Sequence, residues 1–172
     1  MENLSSTTLE AIVKHAAAGI ATLDLDGNYL SVNPTFCEIL GYSEEELKSS
    51  NFRCVTPSND LNQINQQFQV LAEGDSEKIV TEKRYHTKSG EIKWVMLSAT
   101  AIKNSDKQVQ YIVSVIQDIS DKKKLEEESK LAHVAFSHSG DGILVTDQSH
   151  TIIRTNPAFE TFSGYTASEL IG

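Results

Sequence analysis

Hydrophobic positions recur with a helical period in some stretches of the chain and with a strand period in others. Helical spacing of apolar residues follows Thr8, follows Asn33-Pro34 and extends from Asn59 to Glu73. Runs rich in β-branched and aromatic residues predict five strands, at residues 19–25, 29–33, 78–86, 92–102 and 109–119. Two strands, several short helices and three further strands predict an α+β domain, with a five-stranded antiparallel sheet and its helices on one face.

Turn and capping residues mark the ends of these elements. Thr8 is a candidate N-cap for the first helix, and Asp26-Gly27 indicates a tight hairpin between the first two strands. Asn33-Pro34 offers a cap and a proline at the first helical position, and Gly41 offers a terminator for that helix. Ser43-x-x-Glu46 matches a capping box, which predicts one more short helix.

The last two predicted strands are apolar on both faces. One face carries Val95, Leu97, Ile112, Ser114 and Ile116, and the other carries Trp94, Met96, Tyr111, Val113 and Val115. A sheet with one wet face alternates apolar and polar residues, so we expect both faces to be covered. The central helices can cover one face. The other would be covered by the N-terminal helix, by a second subunit or by both, which predicts a homodimer through Trp94, Met96, Tyr111 and Val113.

An internal repeat divides the chain. His15 to Ser49 aligns without a gap onto His138 to Gly172 at a constant shift of 123 positions, with 11 identities in 35 positions. A period of this length predicts tandem domains rather than a solenoid. The second copy lacks a counterpart of residues 50–120, so most partners of its apolar side chains are missing. We expect it either to be poorly ordered or to pack on another surface.

Composition excludes several classes of function. The formal charge of −9 and the pI near 5.0 argue against nucleic-acid binding. No apolar run approaches the roughly 20 residues that cross a bilayer, and Cys37 and Cys54 have neither metal-site nor CxxC spacing. Two reduced thiols predict a cytoplasmic protein. No nucleophile–base set or phosphate loop is present, so we expect this stretch to be non-catalytic.

Three ordered motifs carry a resemblance to a known family. Asn33-Pro34-x-Phe36 through Gly41-Tyr42-Ser43-x-x-Glu46-Leu47 resembles the first half of a PAS domain. Glu82-x-Arg84-Tyr85 with the segment from Lys88 to Val95 resembles its C-terminal sheet motif. Asp118-Ile119-Ser120 is similar to the motif that ends the last PAS strand and opens a signalling helix.

The resemblance implies a sensory module with a flanking N-terminal helix and a C-terminal signalling helix. On this interpretation residues 1–18 flank a complete PAS domain at 19–120, residues 121–138 form a linker and residues 139–172 begin a second PAS domain. A ligand or a partner contact would act on the sheet, and Asp118, Ile119 and Ser120 would pass the change to an output domain, such as a histidine kinase or a cyclic-di-GMP enzyme. The charged linker lacks Pro and Gly, which favours a continuous helix over a flexible connector.

The cofactors that some PAS domains bind are not expected here. Phe52 stands at the position of the flavin-adduct cysteine, and Tyr85, Val95 and Ile116 replace the amides that would hold a flavin. The stretch from Asn59 to Glu73 contains no His for haem. A small organic ligand remains open, beside the alternatives of an ordinary packed core and of a ligand-free dimerisation module. The candidate pocket residues are Phe36, Leu40, Phe68, Tyr85, Val95, Leu97, Ile112, Ser114 and Ile116.

Overall fold

The computed structural model describes residues 6–172, with side chains from residue 7 onward. The chain divides into two compact units, residues 1–121 and 122–172. Because the described residues begin at residue 6, the predicted flanking segment of residues 1–18 lies partly outside them.

The first unit follows the predicted order of elements. Its helices are α1 (Ser6–Lys14), α2 (Pro34–Leu40), α3 (Glu44–Lys48) and α4 (Ser58–Ala72). Its strands are β1 (Gly19–Leu23), β2 (Tyr29–Val32), β3 (Lys78–His86), β4 (Ile92–Lys103) and β5 (Val109–Asp118). The strands form one antiparallel sheet in the order β2-β1-β5-β4-β3, which confirms the predicted α+β class.

Several element ends differ from the prediction by one or two residues, and two of them have a clear cause. The first helix begins at Ser6, so Thr8 lies inside it rather than at its cap. Strand β1 stops at Leu23 because the carboxylate of Asp24 accepts hydrogen bonds from the amides of Asp26 and Asn28 and turns the chain there. The capping predictions for α2 and α3 are confirmed, including the reciprocal Ser43–Glu46 box.

The sheet has one apolar face and one mixed face. On β4, Val95 pairs with Lys83 of β3, and Leu97 pairs with Ile116 of β5. The side chains of these residues lie on the face of the sheet that packs against the helices. The opposite, outer face carries half-buried Trp94, Met96, Tyr111 and Val113, with Val115 exposed. The same rows also carry Ser98, Thr100 and Gln117, so the expectation of a fully apolar outer face is wrong. Helix α1 keeps its own apolar residues exposed, with Leu9 at 50% and Ile12 at 55%.

The second unit repeats the beginning of the first. Helix α5 (Ser120–His138) starts in the first unit, and β6 (Leu144–Thr146), β7 (Ile152–Thr155), α6 (Pro157–Ser163) and α7 (Ala167–Leu170) follow it. Asn156 is the one buried residue between 122 and 172, and Phe162 is 86% exposed. This unit therefore has the turns and helix caps found at the beginning of the first unit, but it has no hydrophobic core.

Candidate functional site

A cavity of about 40 Å³ lies between α4 and the inner face of the sheet. Five of the predicted pocket residues line it: Phe68, Tyr85, Leu97, Ile112 and Ser114. Residues that the sequence interpretation did not include complete the lining: Leu23, Tyr29, Phe52, Ile64, Gln67, Leu71, Ile79, Lys83 and Ala99. The volume is far below the roughly 300–1,000 Å³ of a drug-sized ligand site, so it suits waters or a very small molecule.

The other four predicted pocket residues lie in the packed core and not on this cavity: Phe36, Leu40, Val95 and Ile116. The reason is close packing of α2 on β1 and β5. A Cβ at Gly19 would lie 2.7 Å from Cγ1 of Ile116 and 3.0 Å from the Cα of Phe36, so no space remains there. The Phe36 ring packs edge-on against the rings of Tyr29 and Tyr85, at 5.6 and 6.4 Å between ring centroids. These contacts hold both phenol rings in place.

Lys83 is the most unusual residue of the cavity. It lies on β3 and is only 3% exposed. Its Nζ donates a hydrogen bond of 3.0 Å to Oγ1 of Thr56 and lies 4.2 Å from the centroid of the Tyr85 ring. Burial lowers the pKa of Lys83 to about 7, although the negative charge of Asp60 acts in the opposite direction.

Two other polar atoms on the cavity are buried without a hydrogen bond of good geometry. They are the Tyr29 hydroxyl and the side-chain oxygen of Gln67. Burial raises the pKa of Tyr29 well above its usual value, and the neighbouring Tyr85 phenol adds to the rise. Burial also raises the pKa of Tyr85. Buried polar groups are nearly always hydrogen-bonded, so these atoms require an explanation.

An aromatic pair separates the cavity from an outer groove. The Phe52 and Phe68 rings lie 4.7 Å apart, and Phe68 lines both the cavity and the groove. The Arg53 guanidinium covers the pair at 4.6 Å from the Phe52 centroid, and it donates to the carbonyl of Asp26 at 2.7 Å and to Oδ1 of Asn65 at 2.8 Å. Cys54 is exposed.

Hydrogen bonds join the sheet to the start of α5 at the predicted relay residues. The amide of Ile119 donates to the carbonyl of Trp94 at 2.9 Å, and the amide of Trp94 donates to Oγ of Ser120 at 3.1 Å. Asp118 accepts from Nζ of Lys93 at 2.8 Å and from the amide of Ser120 at 2.9 Å. Burial would raise the pKa of Asp118, but these hydrogen bonds outweigh it and hold the pKa below its usual value.

A buried asparagine joins the preceding helix to each unit. Oδ1 of Asn33 accepts from the amides of Ile20 and Phe36, at 2.8 and 2.9 Å. Its Nδ2 donates to the carbonyls of Val13 and Ala18, at 2.9 and 3.0 Å. We call this set of four hydrogen bonds the asparagine junction.

The second copy contains the same junction. Oδ1 of Asn156 accepts from Ile143 and Phe159, and its Nδ2 donates to the carbonyls of Phe136 and Asp141. Each of these partners lies 123 positions after its counterpart in the first copy. The sequence predicted Asn33 as a helix cap, but the bonds of the two asparagines to the segments before them were not predicted.

A family model described as PAS domain matches residues 17–121 and 140–172, and the chain belongs to this family. Among residues 6–172 there is no cluster of three or more His, Cys, Asp or Glu suited to a metal ion. In the same range no helix is long and apolar enough to cross a membrane.

Bacterial signalling proteins are among the relatives. The chain is 29% identical over 141 residues to the probable diguanylate cyclase DgcE of Escherichia coli, which covers 81% of this chain and 13% of that protein. It is 29% identical over 123 residues to the sensor histidine kinase TmoS of Ectopseudomonas mendocina, which covers 72% of this chain and 13% of the kinase. The chain therefore spans only a small part of these relatives, and it is a PAS sensory domain related to those of histidine kinases and diguanylate cyclases.

Solved PAS domains share the fold. A PAS domain from Colwellia psychrerythraea matches with a TM-score of 0.62 at 20% identity, over 67% of this chain and 97% of that one. A domain of a sensory box histidine kinase/response regulator from Geobacter sulfurreducens matches with a TM-score of 0.57 at 26% identity, over 66% of this chain and 93% of that one. A LuxR-family regulator from Burkholderia thailandensis contains a PAS domain solved with ethanol, which matches at 16% identity with a TM-score of 0.54, over 64% of this chain and 96% of that one.

Proposed function

We propose that residues 19–120 are a non-catalytic cytoplasmic sensory module, which passes the state of its internal cavity through α5 to an output domain of the same polypeptide. The observation that supports this most directly is the hydrogen bonding between β4 and the start of α5. Strand β4 lines the cavity with Leu97 and Ala99, and the same strand bonds to Ile119 and Ser120 through Trp94. A shift of β4 at the cavity would therefore move the first turn of α5.

The far end of α5 supports the same proposal. Phe136 lies in its last turn, and the carbonyl of Phe136 accepts from Asn156 at 3.1 Å. Helix α5 is thus hydrogen-bonded to the sheet at its first turn and to Asn156 of the second copy at its last turn. A displaced or loosened helix would change the bonds of Asn156, which also hold the start of β6 and the first turn of α6 in place.

The relatives support a proposal for the class of the output domain. DgcE is named a probable diguanylate cyclase and TmoS a sensor histidine kinase, and both contain a region similar to this chain. We propose one of these two activities for the output domain.

A double-mutant cycle tests the relay in the 172-residue chain. Asp118→Asn weakens the attachment of α5 to the sheet, and Asn156→Ala removes the hydrogen bond between Asn156 and the last turn of α5. The readout is the free energy of hydrogen exchange at amides of residues 144–155. Distant, uncoupled sites add, so a relay predicts an interaction energy above about 0.5 kcal/mol.

The matched control pairs Asp118→Asn with Thr166→Ala. Thr166 caps α7 in the second unit through Glu169. We expect this pair to be additive. Additive behaviour of the Asp118 and Asn156 variants would show that α5 does not transmit the change.

The second candidate function is a ligand-free dimerisation module. The half-exposed row of Trp94, Met96, Tyr111 and Val113 on the outer face favours it. Native mass spectrometry of freshly purified protein separates the two functions. A retained small mass supports ligand sensing, and a dimer without added mass supports the dimerisation module. Flavin and haem are not part of either proposal; the cavity of about 40 Å³ favours waters or a very small ligand.

A further inference from the structure

The cavity contains a buried amine that forms no direct ion pair with a carboxylate. Lys83 has three N–H donors, and its one hydrogen bond goes to Thr56, a neutral hydroxyl. Asp60 is near enough to influence its pKa, but both Asp60 oxygens accept from Arg84, at 3.0 and 2.6 Å. An ammonium group taken out of water is costly unless a partner charge and hydrogen bonds compensate it.

Packing does not explain a lysine at this position. Its cross-strand partner is Val95, which is fully buried, and the other inward residues of β3 include Ile79 and Tyr85. An apolar side chain of similar length would fill this place without the desolvation cost of an amine. Ionisable groups shifted by burial beside a cavity are typical of functional sites.

Two further polar groups of the cavity can donate hydrogen bonds to a ligand. The Tyr29 hydroxyl is buried beside the Tyr85 phenol, makes no hydrogen bond of good geometry and can donate one to a ligand. The buried oxygen of the half-buried Gln67 amide also lacks a partner, and rotation of the amide by 180° presents its NH₂ group instead. Beside them stand apolar walls from Leu71, Leu97 and Ile112. A lysine amine and neutral donors on one cavity whose other walls are hydrocarbon are complementary to a carboxylate with a short alkyl chain.

We propose that the cavity binds a short-chain monocarboxylate, whose oxygens accept hydrogen bonds from Nζ of Lys83 and the hydroxyl of Tyr29. The volume of about 40 Å³ restricts the alkyl chain to a few carbons. This inference rests on the proposed sensory function and specifies its ligand. The negative ligand replaces the missing counter-charge of Lys83, so that binding favours the ammonium form.

The test uses the full chain and three sodium salts, acetate, propionate and butyrate, with propionamide and 1-propanol as neutral probes of similar shape. Titrations are followed by NMR of the ¹³Cε-labelled lysines. We expect saturable shifts at Lys83 with carboxylates only. Because the pKa of Lys83 is about 7 without a ligand, its Cε resonance should titrate near neutral pH and move to higher pH when propionate is bound.

Two variants and a control assign the binding groups. Lys83→Met keeps the length of the side chain and removes the charge, and we expect at least about a tenfold loss of propionate affinity, about 1.4 kcal/mol. Tyr29→Phe should weaken propionate binding by a smaller factor. Lys78→Met changes an exposed lysine of the same strand and should leave binding unchanged.

The outcomes separate this inference from the proposed function. No saturable carboxylate binding, equal binding of propionamide, or unchanged affinity in Lys83→Met would each overturn the inference. The relay through α5 is measured without any ligand, so it can hold when the carboxylate inference fails. Conversely, carboxylate binding together with an additive mutant cycle would retain this site and reject the sensory relay.

Discussion

The asparagine junction of the first unit gives a prediction whose size follows from its contacts. Asn33 is 3% exposed, and its side chain makes four hydrogen bonds to backbone groups of α1, β1 and the segments beside them. Asn33→Ala removes all four bonds at once. Phe36 still donates to the carbonyl of Asn33 at 3.1 Å, and the carbonyl of Val13 still accepts from Ala16 at 3.4 Å. The amide of Ile20 and the carbonyl of Ala18 lose their asparagine partner outright.

The magnitude follows from the groups that lose their partners. A buried group left unpaired costs about 1–3 kcal/mol, and loss of an N-cap costs about 1 kcal/mol. With the lower figure for two backbone groups, Asn33→Ala should reduce the free energy of unfolding by about 3 kcal/mol. The assay is urea unfolding followed by the fluorescence of Trp94, which is the single tryptophan and lies on β4.

A control variant at an exposed asparagine fixes the baseline. Asn62 lies in the middle of α4 and is exposed, so Asn62→Ala should change stability by only a few tenths of a kcal/mol, in the stabilising direction. If Asn33→Ala costs less than about 1 kcal/mol, the junction does not hold the start of the domain.

Two further predictions concern the buried lysine and the outer face. The pKa of Lys83 is lowered from 10.5 to about 7, so between these pH values the unfolded state binds more protons than the folded state. The free energy of unfolding of the wild type should therefore rise with pH in this range. Relative to Lys83→Met, we expect a rise of about 2 kcal/mol from pH 7 to pH 9. Urea unfolding of both proteins below pH 9.5 avoids the tyrosines, and parallel pH profiles would contradict the burial of the amine. Val113→Glu should abolish self-association in sedimentation velocity, whereas Gln110→Glu, an exposed change on the same strand, should not. A monomeric wild type, or a Val113→Glu variant that still dimerises, would reject the dimer.

Local chemistry allowed most of the fold to be predicted from sequence. The limits of β3 agree with the prediction, and β4 and α4 differ by only one residue at their ends, because alternation and terminal turn residues act within a few positions. The capping box at Ser43 and the left-handed Gly41, with φ of 76°, were predictable for the same reason. The start of α1 was misassigned because Thr8 is only one of several residues there that can cap.

The cavity could be predicted only in part, because it depends on packing between distant segments. Alternation correctly placed Leu97, Ile112 and Ser114 on the inner face, but it could not show that α2 fills the end near Ile116 and leaves space under α4. Lys83 was missed for a different reason. The period of β3 sets it inward with Tyr85, and that signal is present in the sequence, but a lysine is seldom assigned to a core.

The asparagine junction shows why an attachment of this kind is difficult to detect from the helix sequence. In both copies the amide group of the asparagine donates to backbone carbonyls, at Val13 and Ala18 in one case and at Phe136 and Asp141 in the other. Every residue except proline presents the same carbonyl acceptor with its own amide, so the helix can vary in sequence while the junction is kept. Helices α1 and α5 share little sequence. Near its C-terminal end, each nevertheless accepts a hydrogen bond from an asparagine, and the two asparagines are 123 residues apart. The asparagine, and not a motif in the helix, is therefore the sequence signal for where an incoming helix attaches to a PAS domain of this chain.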